Sequence, residues 1–237
     1  VVYTSDQGFY LGEHGWFDKR FIYDQSFKTP LLIKWPNVIK PGITNDELVQ
    51  NLDYAQTFLE AAMIDIPDDM QGESLIPLLK GNSQEWTRDA VYYHYYEYPS
   101  VHMAKRHYGI VNKDFKLVHF YFDVDEWELY DRLNDPNEMN NVYYDPNYKD
   151  VVEALTSELS DLRKKYKDSD ELSRSFIYDW LVKKTITKMK RFFLIFFIIS
   201  CSSNSESLIL KSVTVKDFKE FINDSNYITD AERYGWS

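Results

Sequence analysis

The opening residues constrain the fold more than any other stretch. Val1-Val2-Tyr3 is a short apolar run that stops at Thr4-Ser5-Asp6, the pattern of a strand leaving a core. A loop punctuated by Gly8, Gly12 and Gly15 follows at once. Asp6 and Gln7 therefore stand at the carboxyl end of a strand, where open α/β sheets bind their ligands. Both carry oxygen donors suited to a hard cation such as calcium. His14, Lys19 and Arg20 come within the same loop, a donor or acid and two cations able to clamp an anionic oxygen. Taken as a bare dipeptide, Asp6-Gln7 reads equally as a loop cap in which Asp6 accepts backbone N–H groups.

Downstream, Pro30 to Trp35 is a second apolar strand, closed by Pro36 and Pro41-Gly42. Leu48 to Met63 has helical spacing, with Leu52, Ala55, Leu59 and Ala62 expected on its buried face. A short helix is expected after Gly72-Glu73-Ser74, stopped by Gly81-Asn82. From Ala90 the texture changes to strands over Ala90–Tyr96, His107–Val111 and Lys116–Phe122, with Asn112-Lys113-Asp114 as a hairpin turn. Val151, Leu155, Leu159 and Leu162 then mark a charged helix ending near Lys167. This order predicts a parallel-sheet α/β region over 1–85 and a small antiparallel α+β subdomain over 86–168, then a linker over 169–188.

Residues 189–201 break the pattern. Met189-Lys190-Arg191 is basic, Phe192 to Ile199 is wholly apolar and too short to span a bilayer, and Ser200-Cys201 ends the run. The parts are those of a bacterial lipoprotein signal, with Cys201 as the lipidated residue and a membrane anchor. A buried helix or strand of the preceding domain is the alternative. As the lone cysteine, Cys201 has no intrachain disulfide partner. The net charge of -11 argues against nucleic acid as a partner.

Thr4-Ser5-Asp6-Gln7-Gly8, Gly12-Glu13-His14-Gly15, Lys19 and Thr29-Pro30-Leu31-Leu32-Ile33-Lys34-Trp35-Pro36 together resemble the formylglycine-dependent (type I) sulfatases of the alkaline-phosphatase superfamily. Leu52-Asp53 with Gln56-Thr57, Met70-Gln71-Gly72-Glu73-Ser74-Leu75, Glu128-Leu129-Tyr130-Asp131, Asp135-Pro136 and Glu138 continue the match in order, so that it spans almost all of residues 1–168. The resemblance implies an α/β fold: the C-terminal part of an alkaline-phosphatase-like sandwich, followed by the antiparallel α+β subdomain. It implies that Asp6 and Gln7 are calcium ligands and that Lys19 contacts the sulfate. His14 either touches substrate or holds the loop shape.

The family nucleophile is a formylglycine made within a Cys/Ser-x-Pro-x-Arg motif, and these 237 residues contain no such motif. Val1 rather than Met, the missing motif and the missing first calcium ligands lead to the expectation of a chain truncated upstream and inactive alone.

Tyr92-Tyr93-His94-Tyr95-Tyr96-Glu97-Tyr98-Pro99, His102, Arg106 and His107 resemble the segment of sulfatases that grips sulfated glycosaminoglycans or host glycans. Tyr92 and Tyr95 read better as sheet packing. His102, Arg106 and His107, with Asp18, Arg20 and His119 behind them, are the candidate substrate contacts. The expected substrate is a sulfated carbohydrate of N-acetylglucosamine or glycosaminoglycan type, and the sulfatase part would be periplasmic or secreted by a bacterium. Residues 202–237 resemble the opening of a formylglycine-generating-enzyme-like domain, on Ser212–Phe221 and Tyr227–Ser237, and an amphipathic helix is the plainer reading. The rival functions are a phosphatase or phosphodiesterase of the same superfamily and a non-catalytic lipid-anchored glycan-binding protein.

Overall fold

The computed structural model describes residues 1–99 and 102–177. The chain divides into two units, 1–185 and 186–237. The lipoprotein-signal-like segment, Cys201 and the formylglycine-generating-enzyme-like segment all lie outside the described residues.

The centre of the first unit is a four-stranded antiparallel meander: β3 (Val91–Tyr95), β4 (His107–Val111), β5 (Phe115–Phe120) and β6 (Glu126–Asp131), in that order. The β4–β5 hairpin turns at Asn112 as expected. Its Oδ1 accepts from the backbone N–H groups of Asp114 (3.0 Å) and Phe115 (2.6 Å), an Asx turn that sets the register. β6 was expected only as part of a matched motif and not as a strand; its alternation is masked by a polar start at Glu126 and Glu128.

Every residue of β4 is buried, because both faces of the sheet are covered. Tyr108, Ile110, Leu117 and Leu129 face the helix α4 (Lys149–Lys165), which presents Leu155 and Leu159 to them. Val111, Val118, Phe120 and Tyr130 face the other way, against Tyr10, Phe21, Ile22 and Tyr23 of the N-terminal loop. Period-two alternation thus decides which side chains meet the loop and which meet the helix. Gly109 is needed at that contact. A Cβ there would stand 2.6 Å from the Leu117 carbonyl oxygen and 2.9 Å from Ile22 Cδ1.

The remaining elements are short: β1 (Val2–Thr4), α1 (Asp24–Phe27), β2 (Leu31–Ile33), α2 (Asp53–Ala61) and α3 (Ile76–Leu79). Three expectations are corrected here. The N-terminal sheet was expected to be parallel. Among the described residues β1 and β2 instead pair antiparallel, with Tyr3 opposite Leu32.

The helix expected over Leu48–Met63 starts later, at Asp53, and is turned inside out. Its buried residues are Asp53, Gln56 and Thr57, while Leu52, Ala55 and Ala62 are exposed. A buried ion pair does this. The Asp53 carboxylate is fully buried and accepts from both terminal nitrogens of Arg88, at 2.5 and 2.8 Å. It also accepts from the backbone N–H groups of Gln50 (2.6 Å) and Glu73 (2.9 Å). Gly72 lies so close that a Cβ would sit 2.2 Å from the Leu52 carbonyl oxygen. The Leu52-Asp53 and Gly72-Glu73 motifs are therefore two halves of one buried junction.

Residues 169–177, expected as the start of a linker, pack into the unit instead. Residues 170–177 are helical, and buried Ser173 accepts from Arg106 Nη1 at 3.0 Å through its carbonyl.

Candidate functional site

The loop between β1 and α1 folds back on itself and is pinned at both ends. The Gly8 N–H donates to the Ser26 carbonyl (2.8 Å), an approach that only glycine allows, since a Cβ would stand 2.2 Å from the Gln25 carbonyl oxygen. The Tyr10 N–H donates to the Asp18 carbonyl (2.8 Å), and the fully buried Tyr10 ring anchors the loop on the sheet. His14 adopts a left-handed backbone, φ 53°. Its ring stacks on Tyr23 with centroids 4.5 Å apart, and Nε2 lies 3.2 Å from Gln25 Oε1. These contacts give His14 a loop-holding place.

Asp6 and Lys19 meet across the loop mouth, with Lys19 Nζ 3.3 Å from Asp6 Oδ2. The hydrogen bond and charge of Lys19 hold the Asp6 carboxyl below its ordinary range. Asp6 is otherwise open to solvent, its side chain 82 % exposed. Gln7 Nε2 donates to the Ser26 carbonyl (2.9 Å) and lies 3.1 Å from Ser26 Oγ, which fixes the amide and leaves Oε1 unbonded. An open carboxylate and a free amide oxygen on adjacent residues fit the hard-cation chemistry expected of them. Two oxygens are still too few for calcium, which takes six to eight. Among the described residues no cluster of three or more His, Cys, Asp or Glu side chains is placed to hold a metal.

Beside Lys19 the loop builds a half-buried charged trio. Asp18 Oδ1 accepts from the Lys19 N–H (2.5 Å) and from Arg20 Nη1, while Arg20 Nη2 donates to His102 Nε2 at 2.6 Å. His102 Nδ1 lies 3.8 Å from Asp18 Oδ2. Burial pushes the Asp18 carboxyl up, but the Lys19 amide and Arg20 outweigh it and leave it below its ordinary range. Tyr93 anchors the trio to β3, its hydroxyl donating to the Arg20 carbonyl at 2.6 Å. Arg20 and His102, 82 positions apart in sequence, thus meet beside Asp18, which also accepts from the Lys19 backbone N–H.

Three of the expected substrate contacts lie elsewhere. Arg106 is buried, with Nε donating to the Tyr98 carbonyl and Nη1 to that of Ser173, so its guanidinium is spent on backbone. His107 is fully buried among Phe21, Tyr93, Tyr95 and Phe120. Burial pushes its pKa down to about 4, so it is neutral, with Nδ1 donating to the Lys105 carbonyl (2.8 Å). His119 points to the opposite face of β5, stacked on Trp127 at 4.1 Å and bonded to Tyr108 (2.8 Å) and Asp125 (2.9 Å).

Two buried polar clusters escaped the sequence reading. Lys116, fully buried on β5, reaches Asp24 (2.8 Å), the Ile22 carbonyl (2.8 Å) and Glu138, and Arg132 adds a second cation 3.0 Å from Asp24. A lysine at a core-facing position of an otherwise apolar strand was the available signal. Asp168 accepts from Tyr92, from Tyr96 (2.8 Å) and from His94 Nδ1 (2.8 Å), with Arg163 at 3.3 Å. Burial pushes the Asp168 carboxyl up, but these donors together hold it well below its ordinary range. No local pattern connects 92–96 with 168, so that cluster had no sequence signal. The Tyr92 hydroxyl bond agrees with reading Tyr92 as packing.

Residues 12–165 match the family model described as N-sulphoglucosamine sulphohydrolase, C-terminal. The chain belongs to that family. An N-acetylglucosamine-6-O-sulfatase of Bacteroides thetaiotaomicron is 51% identical over 173 residues, covering 72% of this chain and 31% of the relative. A solved structure holding its substrate, D-glucosamine-2-N,6-O-disulfate, is also 51% identical. It superposes with a TM-score of 0.69 over 72% of this chain and 35% of that one. A phosphonate monoester hydrolase of Agrobacterium radiobacter superposes at 0.61 with 26% identity, over 70% of this chain and 35% of the other. The chain spans about a third of the length of the relatives it matches. Its fold is thus that of the C-terminal part of a sulfatase.

Proposed function

We propose that the surface formed by Asp6, Gln7, Lys19, Asp18, Arg20 and His102 is one half of a sulfate-ester hydrolase site acting on a sulfated sugar of N-acetylglucosamine or glucosamine type. The observation that carries this reading is the Asp18–Arg20–His102 trio, tied to the Lys19 backbone N–H, on the family's own C-terminal scaffold. The half-site divides its work. Lys19 offers a mobile ammonium to an anionic oxygen, and its hold on Asp6 at 3.3 Å keeps it near the strand end until then. Arg20, Asp18 and His102 form a rigid donor and acceptor set suited to sugar hydroxyls. Asp6 and Gln7 would contribute two of the oxygen ligands of a calcium ion, which supplies positive charge for the sulfate oxygens when bound. His14 holds the loop.

The nucleophile is, on this reading, a formylglycine supplied from outside these 237 residues, so the chain alone is inactive. The likeness to a phosphonate hydrolase favours phosphoryl transfer as a second reading, but it is weaker at 26% identity against 51%. Residues 189–201 are read as a lipoprotein signal with Cys201 lipidated, and 202–237 as the start of a formylglycine-generating-enzyme-like domain. The support is their residue order alone. The sulfatase-like part is assigned to the periplasm or exterior of a bacterium on the same ground.

The test joins the upstream two thirds of the B. thetaiotaomicron sulfatase to this chain ahead of Val1. In that joined protein Lys19→Ala is expected to lower kcat about 10²–10³-fold, the loss seen when one donor to a developing anion is removed. His102→Ala is expected to raise KM about tenfold with little change in kcat, as for a contact made equally in ground and transition states. Equal, small effects of both variants would remove the division of roles.

A further inference from the structure

Arg106 is a buried cation to which the half-site gives no role. It is 2 % exposed, and its hydrogen bonds among the described residues go to two backbone carbonyls and to no carboxylate. Burial pulls the guanidinium below its ordinary range. Taking such a cation out of water is costly, and neutral acceptors offset only part of the cost. What the two bonds do instead is join separate stretches of chain. Nε donates to the Tyr98 carbonyl, and Nη1 donates to the Ser173 carbonyl at 3.0 Å. Tyr98 and Arg106 stand on the two sides of the connection between β3 and β4, with His102 midway between them in sequence. Lys105 Nζ donates to the Tyr98 hydroxyl at 2.7 Å and adds a second tie across the same neck. The loop that carries His102 is closed at its base.

The segment beyond α4 is fastened to β3 on its own account. Asp168 accepts from His94 Nδ1 and from the Tyr96 hydroxyl, both at 2.8 Å, and from the Tyr92 hydroxyl. Burial holds the His94 ring below its ordinary pKa, so it is neutral at pH 7. Nδ1 then donates to Asp168, and Nε2 accepts from the Tyr121 hydroxyl at 2.6 Å. Phe176 packs on the Tyr96 ring, with centroids 5.0 Å apart. Residues 168–176 thus form a strap across the root of the His102 loop. The family model matches only residues 12–165, so this strap lies outside it.

Resting on the sulfatase reading above, we infer that Arg106, anchored by the Asp168–Ser173 strap, is a positioning residue for sugar recognition, closing the base of the β3–β4 loop so that His102 stays on Arg20. The consequence for His102 is chemical. Arg20 Nη2 lies 2.6 Å from His102 Nε2, and a guanidinium only donates, so the neutral ring carries its proton on Nδ1, 3.8 Å from Asp18 Oδ2. A loop loose at its base would let the ring leave Arg20 and take either tautomer in solvent. Lysine is no substitute at 106, because a single ammonium lacks the planar fork that reaches two carbonyls at once.

The first test reads His102 in the isolated chain. Long-range proton–nitrogen NMR spectra of the five histidines are recorded at about pH 8, above the ordinary histidine pKa. His102, assigned by the signals lost in His102→Gln, should carry its proton on Nδ1. Arg106→Lys and Asp168→Asn should each turn it into a mixture of both tautomers. Leu155→Ala, which cuts the core under α4, should lower the melting temperature and leave the His102 tautomer alone. If either strap variant does not fold, Tyr96→Phe removes one donor to Asp168 and should give the same mixture. The second test measures the joined protein on D-glucosamine-2-N,6-O-disulfate. Arg106→Lys should raise KM about three- to tenfold with little change in kcat, and adding it to His102→Ala should cost nothing further, because both act through one contact. A mixed tautomer in the unaltered chain, a fixed one in every strap variant, or KM losses that multiply in the double variant would overturn the proposal. The two readings fail separately. An active joined protein whose KM ignores Arg106→Lys refutes the positioning role alone, and an inactive one whose His102 tautomer still loosens refutes the sulfatase reading alone.

Discussion

Asp53→Ala should destabilise this protein by about 3–5 kcal/mol, the cost of breaking a buried ion pair. The carboxylate is fully buried and holds four donors from three separated segments: Gln50, Glu73 and both arms of Arg88. Removing it leaves the Arg88 guanidinium, whose side chain is only 4 % exposed, with only Glu73 at 3.6 Å, and orphans two backbone N–H groups. For a unit of this size that loss corresponds to a melting temperature lower by roughly 6–20 °C. The double variant Asp53→Ala with Arg88→Met should recover part of it, since no buried charge is then left alone. A loss under about 1 kcal/mol in urea unfolding would show that the junction is not buried as described.

Lys116→Ala should cost a similar amount, about 3–5 kcal/mol, for a related reason. The ammonium is fully buried between Asp24 and Glu138 and also donates to the Ile22 carbonyl at 2.8 Å. Glu138 is itself 1 % exposed and would be left without its cation. Arg132 still reaches Asp24 at 3.0 Å, which limits the damage on that side. The effect should extend to the candidate site. Asp24 opens α1, which carries Gln25 and Ser26, the partners of His14, Gly8 and Gln7. Amide hydrogen exchange at Gly8 and Tyr10 should therefore accelerate along with global destabilisation. Lys116→Met combined with Asp24→Asn and Glu138→Gln should restore much of the stability, and failure to do so would deny the cluster its charge pairing.

Much of this was legible beforehand, and the limits are physical. The strands expected over 90–96, 107–111 and 116–122 lie at 91–95, 107–111 and 115–120, and the polar turn at Asn112 was legible between the last two. Period-two alternation, applied to β5, separates Lys116 on the loop side from His119 on the helix side, a distinction that composition alone does not make. Helix α2 shows the opposite case. Its apolar period was correctly seen, but period gives a face and not its partner, and a buried Asp–Arg pair claimed the other side. Asp18, Arg20 and His102 were each expected near substrate, and the fold does gather them. Arg106 and His107 were expected with them and are buried, Arg106 on the carbonyls of Tyr98 and Ser173 and His107 among core aromatic rings. The cluster around Asp168 joins segments more than 70 residues apart and leaves no local trace, whereas buried Lys116 could be suspected from its strand position but its partner Asp24, 92 residues away, could not.

The central claim is that this chain holds half of a sulfatase site and needs the other half. The most direct measurement is sulfate release from D-glucosamine-2-N,6-O-disulfate, followed by chromatography of the sugar product. It compares the chain alone with the chain joined behind the upstream two thirds of the B. thetaiotaomicron sulfatase and matured to formylglycine. The account predicts no release by the chain alone and loss of the 6-O-sulfate with the joined protein, slowed about 10²–10³-fold when Lys19 is replaced. Turnover by the chain alone, or a folded and matured joined protein that releases nothing, would contradict it.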